Sequence, residues 1–374
     1  MEFEQGVDQG RFFDCQGCGA RLTFAPGSEE LVCEYCGHRQ EIEARDEAAV
    51  AEIVEHDFRE ALRAVRTKPL TELMVGGREV NCKNCGATTV LDKQAGHCPY
   101  CDSPVVARTP SERDEGVIVP ESVLPFKLDE RRARESFRRW VGSLWFAPND
   151  LQQRAAAEGI DGVYMPYWTY DSYTTTHYRG QRGEYYWETE YYTDAQGNQQ
   201  SKQVRKTRWY PASGVVRVPF DDVLVCATRS LPHKLLNALE PWDLHELKPY
   251  DPAYLSGFIA ERYAIGLEEG FKLAEERMKP HIRAACRADI GGDTQRVHSM
   301  SIRHANVTFK HTLLPLWISS FRYKGKVYRF VVNARTGEVS GERPYSWVKI
   351  LLAVLAALAV VGAIIYFVSV SGAA

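Results

Sequence analysis

The sequence lacks the marks of several large function classes. Its charges nearly cancel, with 46 Lys and Arg against 49 Asp and Glu and a formal net charge of -3, so it has no global basic excess of the kind that coats nucleic acid. No G-x-x-x-x-G-K-[ST] phosphate loop, H-E-x-x-H helix or G-x-S-x-G elbow occurs in the 374 residues. NTP-driven chemistry, zincin-type proteolysis and serine hydrolysis therefore have no visible seat, and the expectation is a protein that is not an enzyme. His245-Glu246 lacks a second histidine, and Asp46-Glu-Ala-Ala49, which superficially resembles a helicase motif, reads as the acidic first turn of a helix. Met1 to Gly10 carries Glu2, Glu4 and Asp8 in place of a basic and apolar leader, so the N-terminus is expected to stay where it is made. With 44% hydrophobic and 25% charged residues the composition is that of a globular protein of two or three domains.

What is present is cysteine in a pattern. Eight of the ten cysteines form four C-x2-C pairs, Cys15/Cys18, Cys33/Cys36, Cys82/Cys85 and Cys98/Cys101, a spacing that reads as metal binding rather than a disulfide framework. Glycine follows Cys18, Cys36 and Cys85, which suits a tight knuckle whose backbone amides turn toward a thiolate. The short separations within each half allow a hairpin to bring two knuckles onto one tetrahedral ion. Two four-cysteine ribbons are expected, each holding one structural zinc ion, although iron would use the same ligands. Each loaded site adds a charge of about -2, which counts further against nucleic acid as a partner. Cys226 and Cys286 stand alone and read as buried apolar side chains.

The remaining chain divides by periodicity and breakers. Ribbon 1 is expected over 11–41, a helical connector over 42–68 with Val50, Val54, Phe58, Ala61 and Val65 at helical spacing, ribbon 2 over 78–104 and a proline-punctuated linker over 105–125. Residues 126–346 read as an α+β domain built mainly on antiparallel strands. Within it, Asp129 to Trp145 reads as a helix capped by Asp129, and about Gly257 to Ala288 as a long helix with Ile259, Tyr263, Leu267, Phe271, Ala274, Met278, Ile282 and Ala285 along one line. Val163–Tyr192, Val204–Tyr210, Val215–Ala227, Arg296–Lys310, Leu316–Tyr323 and Lys326–Asn333 read as strands, with turns at 194–198 and at Asn333-Ala-Arg-Thr-Gly337. His298, His304 and His311 are expected on solvated strand faces. The aromatic run from Tyr164 to Tyr192 reads first as strand packing, and secondly as a surface able to stack on bases or anchor a protein.

From Ile350 to Val370 no residue is charged, a length that crosses a hydrocarbon core as a helix, and a transmembrane helix is expected over 348–370. Trp347 and Tyr366 would sit near its two interfaces. Arg335, Arg343 and Lys349 precede it, which by the positive-inside rule places the N-terminal bulk in the cytoplasm, on a single-pass anchor in the cell membrane. Reducing cytosol agrees with metal-bound rather than disulfide-bonded cysteines.

The order of the double ribbon, LPFKLDERRARESFRRWVGSLWFAP, VYMPYWTYDSYTTTHYRG, YLSGFIAERY, LPLWISSFRYKGKVYRFVVNARTGEVSG and a membrane helix resembles a bacterial family of membrane-anchored double zinc-ribbon proteins. Members are often labelled primosomal protein N′ (replication factor Y), superfamily II helicase, or transcription-factor-IIB-type zinc ribbon. The resemblance implies a zinc-binding adaptor that holds an SPFH-domain, flotillin-like scaffold at the membrane. A nucleic-acid-associated factor without helicase activity is the alternative.

Overall fold

In a computed structural model of the chain, the described residues are 13–42, 53–65, 78–82, 87–91, 95–100, 104–106, 118, 120–148, 151, 159–193, 197–324 and 326–371. The architecture is α+β and mainly antiparallel. β1 (Leu22–Phe24), β2 (Glu30–Cys33) and β3 (Arg39–Glu41) form a small antiparallel sheet. β4 (His56–Asp57) runs into α1 (Phe58–Val65), where Asp57 accepts the N–H of Glu60 at 2.8 Å. Then follow β5 (Arg78–Asn81), β6 (Thr88–Leu91), β7 (Ala95–His97), β8 (Pro104–Val106) and β9 (Ser122–Val123). α2 (Glu130–Ser143) starts at Asp129, whose carboxylate accepts the N–H of Arg132 at 2.8 Å.

The second half is dominated by three long strands, β10 (Asp161–Thr193), β11 (Gln199–Cys226) and β14 (Thr294–Tyr323), of 33, 28 and 30 residues. Between them lie α3 (His233–Asn237), β12 (Lys248–Pro249), β13 (Ile259–Glu261) and α4 (Leu267–Ile290). β15 (Lys326–Asn333), β16 (Val339–Gly341) and α5 (Trp347–Ser371) complete the chain. β10 pairs with β11 on one side and β14 on the other, both antiparallel, so one sheet path reads β12-β9-β14-β10-β13-β6-β5.

The long strands replace shorter ones expected from sequence. Val204–Tyr210 and Val215–Ala227 belong largely to the single strand β11, and Arg296–Lys310 and Leu316–Tyr323 to β14. At 211–214 and 311–315, which separate the expected strands, β11 and β14 stay in register with β10; the backbone bulges instead inside the expected strands, where the register slips between Tyr170 and Ser172 and between Asp171 and Tyr173 and where Asp222 and Asn306 adopt φ of 50° and 49°. The long helix starts ten residues later than the periodicity suggests. Ile259 lies on β13, and the N–H groups of Ala264 and Ile265 both donate to the carbonyl of Ala227, which holds that stretch off helical geometry until Gly266. From there the expected line holds, with Leu267, Ala274, Met278 and Ile282 buried. Gly270 lets α4 lie close on the sheet, since a Cβ there would come within 2.4 Å of the Tyr170 hydroxyl.

Residues 121–125 are extended as expected but not solvated: Ser122 and Val123 pair with β12 and β14, and Leu124 is fully buried. The turn Asn333–Gly337 forms as read, with Asn333 Oδ1 accepting the N–H groups of Arg335 and Thr336 and with Gly337 at φ 78°. His304 and His311 are not on solvated faces. His311 is 4% exposed against Trp168 and Tyr263, and His304 packs near Ser172 Oγ at 3.0 Å, where burial pulls its pKa down. Cys226 and Cys286 are buried as expected, and burial pushes the Cys226 thiol up to about 12.

Candidate metal centre

The first ribbon brings Cys15, Cys18, Cys33 and Cys36 together, with all four Sγ atoms within 4.8 Å of one another. Cys15 and Cys36 are 3.5 Å apart at sulfur, as are Cys18 and Cys33. The local folding follows from the spacing. Each C-x2-C-G stretch closes a turn in which the glycine N–H returns to the first cysteine's carbonyl, Gly19 to Cys15 at 2.8 Å and Gly37 to Cys33 at 2.9 Å. Both glycines sit at positive φ, 71° and 73°, where a side chain would be strained. The N–H of Gly17 points at Cys15 Sγ at 3.3 Å, the contact that stabilises a thiolate in such a knuckle.

The donor set fits a soft divalent ion. Four thiols this close do not ionise independently. The backbone N–H of Cys36 draws the Cys33 thiol down to about 7, whereas Cys36 is pushed up to about 12 because its sulfur neighbours outweigh the N–H of His38. A cation among the four removes the conflict, since it favours the thiolate at every position. Four sulfurs leave no position open for water or substrate, so an ion here stiffens the ribbon and does no chemistry.

Ribbon 1 is docked rather than tethered. The Phe24 N–H donates to the carbonyl of Ser256 at 3.0 Å, Gly27 N–H to that of Phe126 at 2.8 Å, and the Ser256 hydroxyl to that of Leu22 at 2.6 Å. Leu22, Phe24 and Leu31 are buried in a core shared with Phe126, Tyr254 and Trp317. Among the second set, Cys82 and Cys98 are buried, and the Cys82 N–H donates to the carbonyl of Ala87 at 2.8 Å. Cys85 and Cys101 lie outside the described residues. This half joins the main sheet directly through β6 and β13, and Tyr100, fully buried, donates to Met165 Sδ at 3.5 Å.

One cluster was not visible in sequence because its members are far apart. Glu55, Asp171 and Asp221 bring carboxylate oxygens within 4.8 Å of one another. Lys310 already supplies the cation, with Nζ 3.2 Å from Glu55 and 2.8 Å from the adjoining Asp222.

At the other end, α5 has a mean hydropathy of 2.8 over Trp347–Ile365, none of it buried against the chain, and is long and apolar enough to cross a membrane. Its start is held by Ser346 N–H to the carbonyl of Phe146 at 2.7 Å and by Lys349 Nζ to that of Ala147 at 2.8 Å. Trp145 is in the turn after α2, 80% exposed, not on the helix as its spacing suggested, and it lies in the same loop as those two carbonyls. Of the three cations around the start of α5, Arg335 is spent on Glu246 at 2.5 Å, leaving Arg343 just before the helix and Lys349 in its first turn.

The chain is 27% identical over 338 residues to YdjG of Bacillus subtilis (strain 168), described as an uncharacterized protein, with 89% of this chain and 90% of that one covered. No protein-family model matches, and the primosomal and transcription-factor labels gain no support. No solved structure matches.

Proposed function

We infer that the chain is a non-enzymatic, zinc-binding adaptor, anchored in the cell membrane by α5, that docks a cytosolic partner at the inner face. The observation that carries this reading is the continuity between ribbon and anchor. Ribbon 1 packs into the α+β core through Leu22, Phe24 and Leu31, and α5 starts against the same body at Phe146 and Ala147. A partner bound anywhere on that body is confined near the bilayer, and the raised effective concentration lets a weak docking surface suffice.

Other features support the same picture. Trp145 and Trp347, 80% and 84% exposed, with Tyr345 and Phe146, suit an interfacial aromatic belt. Arg343 and Lys349 favour the cytoplasmic side for the bulk. Zinc is the fitting ion for ribbon 1, and a second would be held by Cys82, Cys85, Cys98 and Cys101. The family resemblance points to an SPFH-like scaffold as partner. Against nucleic acid, three cations of the β10/β11 ribbon already have partners: Lys206 lies 2.7 Å from Glu188 and 3.1 Å from Glu190, and Arg205 and Arg208 stack on Tyr185 and Tyr186.

The test is affinity purification of the full-length protein from nuclease-treated native membranes, quantified against a control carrying only the membrane helix. Stoichiometric enrichment of a scaffold protein is expected. Replication or transcription proteins that vanish with nuclease would overturn the reading.

A further inference from the structure

Beyond Tyr185 the three-stranded sheet becomes a two-stranded ribbon. β14 begins at Thr294, opposite Gly183, and Asp293 closes its end twice. Its N–H donates to the Gly183 carbonyl at 3.0 Å, and its carboxylate accepts the Tyr185 N–H at 2.7 Å. These two bonds fix which way the backbone faces: odd-numbered residues of β10 here direct N–H and C=O away from β11. The groups of Trp187, Thr189 and Tyr191 therefore lie along an edge that no strand among the described residues covers.

The outer edge of β11 is protected differently. Pro211 and Pro219 stand opposite Gln181 and Tyr173, both at outward-facing positions where a missing N–H costs the β10 ladder nothing. Proline at such positions blunts a sheet edge against further pairing. From Glu184 to Thr193 the β10 edge has no proline.

That edge also has the sequence of a self-complement. Around Thr189 the residues Tyr186-Trp-Glu-Thr-Glu-Tyr-Tyr192 read nearly alike in both directions. A two-fold axis midway between the Thr189 residues of two copies, normal to the sheet, keeps both copies' faces aligned and sets odd residues opposite odd ones, as the outward hydrogen bonds require. We propose that two copies of this chain pair antiparallel along the free edge of β10, with the two-fold axis midway between the two Thr189 residues, to make a four-stranded sheet at the ribbon tip. Thr189 then exchanges both backbone bonds with its own counterpart, and Trp187 exchanges them with Tyr191 of the second copy.

The side chains agree with this register. Trp187 and Tyr191, 66% and 70% exposed, become cross-strand aromatic pairs on one face, and Tyr186 and Tyr192 do so on the other. The opposing term is charge, because Glu188 meets Glu190 of the second copy twice. Lys206 and Lys202 offset it from within each ribbon, at 2.7 to 3.7 Å from these carboxylates. The occupant is a second copy rather than an unrelated extended peptide, because near two-fold symmetry in the strand serves only self-pairing.

The test places Thr189→Cys in the full-length protein in native membranes, followed by mild oxidation and a non-reducing gel, with the unaltered chain as baseline. Opposed residues of a hydrogen-bonded pair have Cα atoms about 5.5 Å apart, within disulfide range. A covalent dimer is expected for Thr189→Cys. None is expected for Trp187→Cys alone, whose counterpart lies four residues along, roughly 13 Å, but co-expressing Trp187→Cys with Tyr191→Cys chains restores it. Trp187→Pro in the Thr189→Cys chain spares the β11 ladder and should cut the dimer roughly thirtyfold, because the two-fold symmetry removes two hydrogen bonds, one from each copy. Glu188→Gln with Glu190→Gln should increase it. The proposal is overturned if Thr189→Cys stays monomeric, if it captures a different protein, or if Gln203→Cys on the β11 edge cross-links equally well.

Discussion

Phe24 of the first ribbon meets Tyr254 of the α+β domain edge-on, with ring centroids 5.3 Å apart. The contact makes the ribbon part of the domain's core, while the four sulfurs are positioned by the ribbon's own turns at Gly19 and Gly37. Phe24→Ala should destabilise by about 3–5 kcal/mol through the cavity it leaves, with the ion retained. Thermal unfolding together with metal analysis checks this, and loss of metal on substitution would show that docking holds the site together.

Loss of one sulfur has the converse signature. Cys36→Ser should lower the metal content by one equivalent per chain and expose Leu22 and Leu31. Elemental analysis of the purified full-length protein, with limited proteolysis of residues 13–42, reads both. An unchanged zinc content would remove the four-sulfur site.

Glu121 gives a pH dependence. Burial pushes its carboxyl up to about 7 from 4.5, despite the N–H of His311 at 2.7 Å, and His56 Nε2 lies 3.2 Å away. A raised folded-state value means the fold prefers the protonated acid, so its contribution is fully present below pH 4.5 and is lost as the pH rises through 7. The loss is at most about 3 kcal/mol by pH 8. Glu121→Gln should therefore melt higher than the parent at pH 8 and close to it at pH 5. Equal differences at both pH values would contradict the assignment.

The apolar helix makes a prediction of its own. Leu355→Arg with Leu358→Arg places two charges at the middle of α5, at a cost of roughly 3 kcal/mol each on the insertion scale. The doubly substituted chain should leave the carbonate-resistant membrane fraction, and full retention would mean that something other than α5 anchors the protein.

Much of the metal site was legible because four cysteines at fixed spacing state their own chemistry, and Gly19 and Gly37 took the left-handed turns their positions demand. Asp129 and Asn333 were equally readable, since a cap and an Asx turn are local. The long strands were not: residues 211–214 and 311–315 separate the expected strands, and only pairing with β10 carries β11 and β14 through them. His311 looked exposed by alternation, but the Trp168 and Tyr263 rings that enclose it come from distant segments. The docking of ribbon 1 is not legible for the same reason, because Phe24 lies 230 residues from Tyr254.

The most direct test of the adaptor account compares the full chain with one stopped after Tyr345, each purified with its bound partner from fractionated cells. The account predicts the same partner on both, sedimenting with membranes only when α5 is present. Membrane recruitment of that partner by the shortened chain would contradict it.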